Sequence, residues 1–402
     1  MIVIFYILAA LLVFLSFKSF RGGIGYLRYI KSESAKPASF FTPFVSIIAP
    51  CKGLDEGLEE NLSALLDQNY PNFEVIFVVD DERDPAVEVI EEISRRYAEA
   101  AEKDKTKLVV AEKAVGSAQK VENLREAVLH VADESRVFVF VDSDARPAKN
   151  WLSFLVAPLE KEEIGAATGY RWFISNKPSF ASEMRSAWNA SIASALGPNL
   201  RSNFCWGGSM AIRRDVFERL GIRERWLGTL SDDFTMTRAL KEAGMAIFFV
   251  PQALTPSIEN CSFREMLEFT TRQMKITRVY APALWKLSFF GSALFNLTLI
   301  WALLIIVLGS PAQPSFWIGA IVMFLVSFFS IGKSWLRLKA VRLVLKEYSD
   351  ELRRQFSTQN TLWLLAPAVF LFNSVAALLS RRMTWRGKRY ELVSPTETRI
   401  LP

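Results

Sequence analysis

Long uncharged apolar stretches constrain this chain more than any other feature. Leu287–Gly332 contains no Asp, Glu, Lys or Arg over 46 positions, and Gln355–Ser380 contains none over 26. Met1–Phe17 is uncharged as well. A helix needs roughly 20 apolar residues to cross the hydrocarbon core of a bilayer. The sequence therefore predicts membrane-spanning segments at both ends, with the longest stretch divided in two by the turn sequence 309–314.

The charges around the first segment predict its orientation. No basic residue precedes it, whereas Lys18, Arg21, Arg28 and Lys31 follow it. Because positive flanks favour the cytoplasmic side, we expect the N-terminus outside and the following residues in the cytoplasm. A cleaved signal peptide fits less well, since the segment lacks both a basic start and a small-residue cleavage site.

These patterns predict the domain organisation of an integral membrane protein. We expect a transmembrane anchor over residues 1–20, a cytoplasmic catalytic domain over 40–282 and a C-terminal transmembrane region over 287–380. Within the last region, residues 333–354 alternate basic and apolar side chains, which is typical of a helix on the membrane surface.

The last apolar segment leaves two topologies open. As a third span after the catalytic domain it would place the C-terminus outside, although five basic residues between positions 381 and 389 favour the cytoplasm. Alternatively, Pro367 and Asn373 would allow residues 361–380 to form a re-entrant hairpin.

Residue usage excludes several kinds of site. Cys51, Cys205 and Cys261 are far apart, which argues against a zinc site and a disulfide framework. His130 is the only histidine and lies in a helical pattern, so acid–base chemistry falls to carboxylates. The net charge of +6 comes without the aromatic and basic pattern of a nucleic-acid platform, so we expect no nucleic-acid partner.

Between the first segment and residue 287, short apolar runs alternate with helical patterns. Val45–Pro50, Phe73–Val79 and Val137–Val141 are continuous runs of the kind found in parallel sheets covered on both faces. The second run ends in Asp80-Asp81 and the third in Asp142-Ser143-Asp144. Because such sheets bind ligands beyond the carboxyl ends of their strands, the sequence predicts an α/β domain with an acidic ligand site.

The pair Asp142 and Asp144 predicts a site for Mg²⁺ or Mn²⁺. A hard divalent cation takes oxygen ligands and would neutralise the diphosphate of a nucleotide sugar. The alternative is a solvated acidic loop, which the position after a buried strand disfavours. Asp81 could hydrogen-bond the base or ribose of a nucleotide. Taken alone, however, the pair Asp80-Asp81 favours an ordinary turn at the end of the strand.

A second acidic pair, Asp232 and Asp233, precedes a helical pattern. Adjacent carboxylates there could simply cap the helix. The functional alternative is a general base that accepts the proton of an attacking hydroxyl group.

Cations at two further places could meet phosphate groups. Arg272 and Lys275 share a helix face and could hold a leaving diphosphate, or simply flank the next membrane segment. Lys120 and Asn123 follow the flexible Gly116, and Lys120 could meet phosphate or base, or lie solvated at a helix start.

Taken in chain order, these elements resemble the family-2 inverting glycosyltransferases with a GT-A fold, and more narrowly the ceramide glucosyltransferases. Together with the N-terminal anchor and the C-terminal membrane helices, the matching segments span nearly all of the chain. They are 45–53, 61–62, 70–75, 81–86, 115–124, 142–143, 207–213 and 232–236.

The resemblance implies roles for individual residues. The three aspartates of the family fall on Asp81, Asp142 and Asp233, and the third is the proposed general base. The (Arg/Gln)-x-x-Arg-Trp motif of the family falls on residues 272–276, where Lys275 and Ile276 replace the Arg and Trp.

Further matching positions imply a nucleotide-sugar site. Pro50, Lys120, Asn123 and Gly208 belong to it by resemblance. Asp144 completes an Asp-x-Asp motif that ceramide enzymes often lack, which favours the broader family.

The sequence thus predicts an inverting glycosyltransferase with an α/β GT-A catalytic domain, a Rossmann-like mixed sheet, held at a lipid bilayer by N-terminal and C-terminal transmembrane helices. The expected reaction moves glucose from UDP-glucose to the hydroxyl group of a membrane lipid. Ceramide is the first acceptor, followed by diacylglycerol or a hopanoid-type lipid. Two different functions compete with this one: a processive polysaccharide synthase, and a non-enzymatic membrane transporter or receptor.

Overall fold

The computed structural model describes residues 2–37, 39–101 and 105–402. The helices are α1 (Ile2–Ser34), α2 (Leu58–Leu66), α3 (Ala86–Ala101), α4 (Gln119–Ala127), α5 (Trp151–Val156), α6 (Phe180–Ala193), α7 (Arg214–Arg219), α8 (Ile222–Arg225), α9 (Asp232–Glu242), α10 (Phe263–Tyr280), α11 (Pro282–Leu308), α12 (Pro314–Val344), α13 (Ser349–Thr361) and α14 (Ala366–Leu379). The strands are β1 (Val45–Pro50), β2 (Phe73–Val79), β3 (Thr106–Val110), β4 (Val137–Val141), β5 (Ile164–Ile174), β6 (Ser209–Arg213), β7 (Ala246–Ile258), β8 (Arg382–Trp385), β9 (Lys388–Ser394) and β10 (Glu397–Leu401).

The chain divides into two compact units. The sheet unit comprises Glu33–Lys177, Ala195–Asn260 and Arg381–Pro402. The helical unit comprises Met1–Ser32, Pro178–Ser194 and Cys261–Ser380.

A mixed sheet of seven described strands forms the centre of the sheet unit, in the order β3-β2-β1-β4-β6-β5-β7. The pairs among β3, β2, β1 and β4 are parallel, and so is the pair of β5 with β7. Strand β6 runs antiparallel to both of its neighbours. The predicted α/β class with a mixed, Rossmann-like sheet is therefore confirmed.

The predicted strand runs form the middle of this sheet because their apolar side chains are buried without interruption. Every residue of β2 and of β4 is buried. Strand β1 lies between them, with Val45 opposite Phe73 on one side and Val137 on the other. The carboxyl ends of these three parallel strands consequently meet at one edge, as the sequence predicts.

One long strand has no clear signal in the sequence. Residues 170–204 mix aromatic, basic and small side chains, yet residues 170–174 end the long strand β5. Within this strand, a Cβ atom at Gly169 would lie 1.9 Å from the carbonyl oxygen of Ala253, so the close approach of β7 requires glycine. The small residues at 165–169 do not form the apolar run that predicts a strand, because their burial depends on packing against a segment distant in the sequence. Only α6 within that region is helical.

A second sheet in the sheet unit comes from the C-terminal residues. Strands β8, β9 and β10 pair antiparallel in sequence order. Gly228 packs so tightly against this sheet that an added Cβ atom would lie 2.5 Å from the carbonyl oxygen of Thr396. The sequence pattern predicted no strands here.

In the helical unit, α1, α11 and α12 are long and apolar enough to cross a membrane. The predicted division of the longest stretch is confirmed, because α11 ends at Leu308 and α12 begins at Pro314. Helix α12 continues to Val344 and α13 begins at Ser349, so residues 333–354 are not a single helix, and their place at the membrane surface stays a prediction. The last apolar region is two helical segments, Lys346–Leu364 and Ala366–Leu379, bent by 58°.

Candidate active site

A buried lysine joins two of the acidic clusters at the sheet edge. Lys120, near the start of α4, places Nζ 2.7 Å from Oδ1 of Asp142 and 3.3 Å from Oδ1 of Asp232. Its side chain is only 15% exposed, so the solvated helix-start alternative is wrong. The structure thus brings three predicted site residues into direct contact.

Two glycines before β6 allow these carboxylates to approach. A Cβ atom at Gly207 would lie 2.2 Å from Oδ2 of Asp232. One at Gly208 would lie 2.7 Å from Oδ2 of Asp142 and 2.2 Å from the Trp206 ring. These distances are shorter than real Cβ contacts, so any side chain here would force the site apart. The predicted site residue Gly208 therefore lies against Asp142.

Charges in this cluster shift the pKa values in opposite directions. Burial, with the repulsion of Asp233 and Asp142, raises the pKa of Asp232 to about 6 despite the charge of Lys120. Burial also acts to raise the pKa of Asp142, but the charges of Lys120 and Arg171 outweigh it and lower the value. Asp142 therefore stays ionised at neutral pH. For Lys120, burial opposes the charge, yet its carboxylate partners raise the pKa further.

Asp144 has one partnered and one unpartnered oxygen. Oδ2 lies 3.3 Å from Nη1 of Arg171, whose guanidinium stacks on the Trp206 ring at 4.9 Å. Oδ1 is buried and accepts no hydrogen bond from the described residues. Burial raises the pKa of Asp144 to about 7, against the charge of Arg171.

This arrangement fits a divalent cation. A buried carboxylate oxygen without a donor is costly unless something neutralises it. Oxygen ligands of Asp142 and Asp144 are of the type that Mg²⁺ or Mn²⁺ prefers. Across the described residues, no group of three or more His, Cys, Asp or Glu side chains is arranged to hold a metal ion. Two carboxylates would thus leave positions for phosphate oxygens and water.

Asp233 is more exposed than its neighbour Asp232. Its Oδ1 accepts hydrogen bonds from the Ser231 hydroxyl and, at 2.7 Å, from the backbone N–H of Phe234. From the described residues, its Oδ2 accepts one long hydrogen bond, 3.5 Å, from the N–H of Gly207. Ser231 caps α9 with its own side chain, so capping alone does not account for both acidic residues.

The acidic pair after β2 has two different environments. Asp80 is buried and forms ion pairs with Lys52 at 2.6 Å and Lys113 at 3.2 Å, which lower its pKa against the effect of burial. The side chain of Asp81 is 47% exposed and faces a cavity of about 550 Å³, which Lys52, Asp84 and Arg386 also line. Of this pair, Asp81 is the residue that a ligand can reach.

Pro50 and Asn123 have local roles. Pro50 ends β1 and is half-buried ahead of the loop that lines the same cavity. Asn123 is buried and accepts a hydrogen bond of 2.9 Å from Nε2 of Gln119. Gln119 in turn bonds the backbone at Glu112 and Ala114, so this network orders the loop before α4. A ligand contact for either residue stays a prediction.

The two predicted cations on α10 belong to the helical unit. Arg272 stacks on Phe269 at 5.4 Å, and burial lowers the pKa of Lys275. Since the aspartates belong to the sheet unit, a shared role with them stays a prediction.

Four charged residues near the site were not predicted from the sequence: Asp55, Arg171, Arg386 and Lys388. Asp55 accepts a hydrogen bond of 2.9 Å from the hydroxyl of Ser143, which lies between the two aspartates predicted to hold a metal ion. Arg386 pairs with Asp55, and Lys388 lies 3.4 Å from Asp80. Arg171 belongs to the unpredicted strand β5. The two C-terminal cations were interpreted only as markers of membrane topology.

Fold and site together define a glycosyltransferase joined to apolar helices that could span a membrane. Residues 3–398 match the pattern of glycosyl transferase family 21, so the chain belongs to this family. Membership over almost the whole chain, with the mixed sheet described above, confirms the predicted GT-A class. The chain is therefore a glycosyltransferase and not a non-enzymatic membrane transporter or receptor.

Curated relatives are similar over shorter regions. The ceramide glucosyltransferase of Komagataella phaffii is 43% identical over 53 residues, which are 13% of this chain and 10% of the relative. Ceramide glucosyltransferase 1 of Caenorhabditis elegans is 23% identical over 238 residues, 57% of this chain and 48% of the relative. The chain thus spans about half the length of the second relative and a tenth of the first.

A solved structure is also similar. The mannosyltransferase PcManGT from Pyrobaculum calidifontis, in complex with GDP-Man and Mn²⁺, is 19% identical, with a TM-score of 0.43. The match covers 91% of this chain and 99% of that one.

Proposed function

We propose that this chain transfers glucose from UDP-glucose to the hydroxyl group of a membrane lipid, with inversion, and that ceramide is the acceptor. The observation that carries the proposal is the contact of Lys120 with Asp142 and Asp232 at the carboxyl edge of the sheet. Membership of glycosyl transferase family 21 and the similarity to ceramide glucosyltransferases support it.

The donor would lie along this edge. Asp81 and the cavity beside it would hold the nucleoside, while Asp142 and Asp144 would hold Mg²⁺ or Mn²⁺. Such a cation, when bound, neutralises the diphosphate and makes it a better leaving group. Lys120 keeps the carboxylate of Asp142 ionised and oriented, and Gly208 leaves room for it.

Asp233 would act as the general base. As the acceptor oxygen attacks the anomeric carbon, the bond from that carbon to the diphosphate oxygen breaks and the acceptor proton passes to Oδ2 of Asp233. Attack opposite the leaving group inverts the anomeric configuration. A positioned base contributes roughly 10²–10⁴ in rate. Asp232, bound to Lys120, would hold the adjacent Asp233 in place, which makes it a positioning residue.

The helical unit would supply the remaining functions. Arg272 and Lys275 would support the leaving diphosphate by charge. Helices α1, α11 and α12 would hold the enzyme at the bilayer where its acceptor resides. Because basic flanks favour the cytoplasm, the four basic residues between positions 18 and 31 support a cytoplasmic location for the sheet unit.

Diacylglycerol is the second acceptor to consider. The family motif departs at Lys275 and Ile276, and a lysine cannot reproduce the bidentate fork of an arginine. A hopanoid-type lipid is a further acceptor to consider for the same reason. A processive polysaccharide synthase is less favoured, because it would be expected to keep that motif intact.

Product analysis tests the proposal. Purified full-length chain in detergent receives UDP-glucose and Mn²⁺ with ceramide, diacylglycerol or a hopanoid alcohol in parallel, and products are identified by mass spectrometry and NMR. We expect β-linked glucosylceramide from an α-linked donor, and none from the Asp142→Asn variant. Glucosylated diacylglycerol or hopanoid alone would overturn the ceramide assignment. Failure with every lipid would contradict the proposed reaction.

A further inference from the structure

The C-terminal sheet is seated on the helix that carries Lys120. Tyr390, on β9, is 2% exposed, and its hydroxyl accepts a bond of 3.4 Å from the backbone N–H of Gln119. Lys388 donates to Oε1 of Gln119 at 2.6 Å. Gln119 directly precedes Lys120, so the C-terminal residues contact the donor-site helix at its first turn.

The turn between β8 and β9 has an unusual residue. Trp385 pairs with Lys388, which leaves Arg386 and Gly387 as a two-residue turn with φ of 49° and 77°. Among the described residues, Arg386 is the only non-glycine with positive φ. Turns with two positive φ values favour Asn, Asp or Gly. Residues kept in such unfavourable conformations cluster at functional sites.

The guanidinium of Arg386 contacts Asp55 and Lys52 beside the proposed donor site. Its Nη1 and Nη2 lie 2.5 and 2.8 Å from the two carboxylate oxygens of Asp55. Nη1 also lies 3.4 Å from the carbonyl oxygen of Lys52. Asp55 also accepts a hydrogen bond from Ser143, so it connects the turn to residues 142–144, where the metal ion is proposed to bind.

Three of the five N–H donors of the Arg386 guanidinium form the bonds to Asp55 and Lys52, which leaves two for a ligand. The Arg386 side chain is 45% exposed and lines the same cavity as Asp81. Burial acts to lower its pKa, but the bond to Asp55 and the charges of Asp144 and Asp142 raise it overall. Lys52, Lys113 and Lys120 each contact two carboxylates, whereas Arg386 contacts one.

We propose that Arg386 binds the diphosphate of the sugar donor and that the C-terminal sheet is thereby part of the donor site. The inference deepens the proposed function and rests on it. The two guanidinium N–H groups that Asp55 and Lys52 do not use can donate to phosphate oxygens, and the guanidinium remains charged at any working pH. Asp55 holds the guanidinium in place beside Ser143.

The test compares ligands that differ only in phosphate number. Affinities of uridine, UMP and UDP are measured by calorimetry with saturating Mn²⁺, using purified full-length wild type, Arg386→Asn, Arg386→Lys and Arg399→Asn. Asparagine suits the turn, so Arg386→Asn removes the charge while keeping the hairpin. Arg399 lies in the same sheet and pairs with Glu397, which makes its variant the matched control.

We expect Arg386→Asn to weaken UDP binding by roughly 10- to 100-fold, the range for hydrogen bonds to charged groups. Uridine binding should be unchanged, Arg386→Lys should be intermediate, and Arg399→Asn should match wild type. Equal UDP affinity in Arg386→Asn and wild type would overturn the inference. So would an equal loss for all three ligands, which indicates a purely structural role. A wild type that binds no UDP would instead contradict the proposed function itself, and the inference with it.

Discussion

Lys120 and its two aspartates show how individual residues set the properties of the site. Removing one member of a buried ionic group leaves the others uncompensated, which costs about 3–5 kcal/mol. Asp142 and Asp232 would face each other with no cation between them if Lys120 were neutral. We therefore expect the lysine to contribute to the stability of the fold.

We expect Lys120→Met to lower the free energy of unfolding by about 3–5 kcal/mol. The readout is the thermal unfolding midpoint of the purified full-length chain. Lys107→Met is the matched control, because Lys107 pairs with Glu74 at 2.9 Å from an exposed position and should contribute about 0–1 kcal/mol. A shift for Lys120→Met no larger than that of the control would contradict this description of the cluster.

The raised pKa of Asp144, about 7, predicts pH-dependent cation binding. A carboxylate must lose its proton to ligate a cation, so affinity is full above this pKa and falls as the pH drops through it. Between pH 8 and pH 6, Mn²⁺ affinity should fall about tenfold, as measured by electron paramagnetic resonance of free Mn²⁺.

The control for this titration is Asp144→Asn. It should bind Mn²⁺ more weakly and lose most of the pH dependence over this range, since Asp142 stays ionised. Asp215→Asn alters an exposed carboxylate outside the site and should behave as wild type. Unchanged pH dependence in Asp144→Asn would contradict the role of this residue.

At the scale of elements, the C-terminal sheet depends on close packing at Gly228. This residue has a φ of 79°, and a Cβ atom would clash with the backbone of Thr396. Gly228→Ala should therefore loosen strands β8 to β10. We expect faster protease cleavage within residues 381–402 and weaker UDP binding.

Gly197→Ala is the matched control for this prediction. Gly197 has no positive φ, and a Cβ atom added there would meet nothing within 4 Å. The control should keep the cleavage rate and UDP affinity of wild type. Cleavage of Gly228→Ala at the wild-type rate would show that the sheet does not depend on this contact.

The elements also show what a sequence can and cannot predict. Strands β1, β2 and β4 are continuous apolar runs, so their positions and the acidic edge they form follow from local pattern. Strand β5 contains Gly165 and Gly169, and glycine is required there because these positions pack against residues some 80 positions away. The C-terminal strands carry alternating charges that resemble a membrane flank.

The same limit applies to the site. Asp142, Asp144 and Asp232 follow strand ends or precede a helix, where position suggests function. The resemblance identified Lys120 as a site residue, but the sequence did not predict that its side chain is buried. Asp55 and Arg386 are 331 positions apart, and only the folded chain brings them together.

At the scale of the whole molecule, the sheet unit restricts the membrane topology. Both Glu33–Lys177 and Arg381–Pro402 belong to it, so if the apolar helices span a membrane, residues 33 and 381 lie on the same side of it. If α11 and α12 each cross once, the bent pair α13–α14 cannot cross as well. We therefore infer the re-entrant alternative for the last apolar segment.

Cysteine labelling in sealed vesicles checks this topology. Arg95→Cys and Arg399→Cys place thiols on the sheet unit, and Ser310→Cys places one between α11 and α12. With a membrane-impermeant maleimide and peptide mapping, the first two should be labelled from one side and the third from the other. Labelling of positions 95 and 399 from opposite sides would contradict the re-entrant segment.

The most direct test of the central claim is sugar transfer by the Asp233→Asn variant. Full-length chain receives radiolabelled UDP-glucose, Mn²⁺ and ceramide, and label in the lipid extract is counted alongside UDP affinity. We expect wild type and Asp215→Asn to label the lipid, and Asp233→Asn to lose roughly 10²–10⁴ in kcat with unchanged UDP affinity. Wild-type turnover by Asp233→Asn, or a wild type that binds UDP-glucose yet labels no lipid, would contradict the claim.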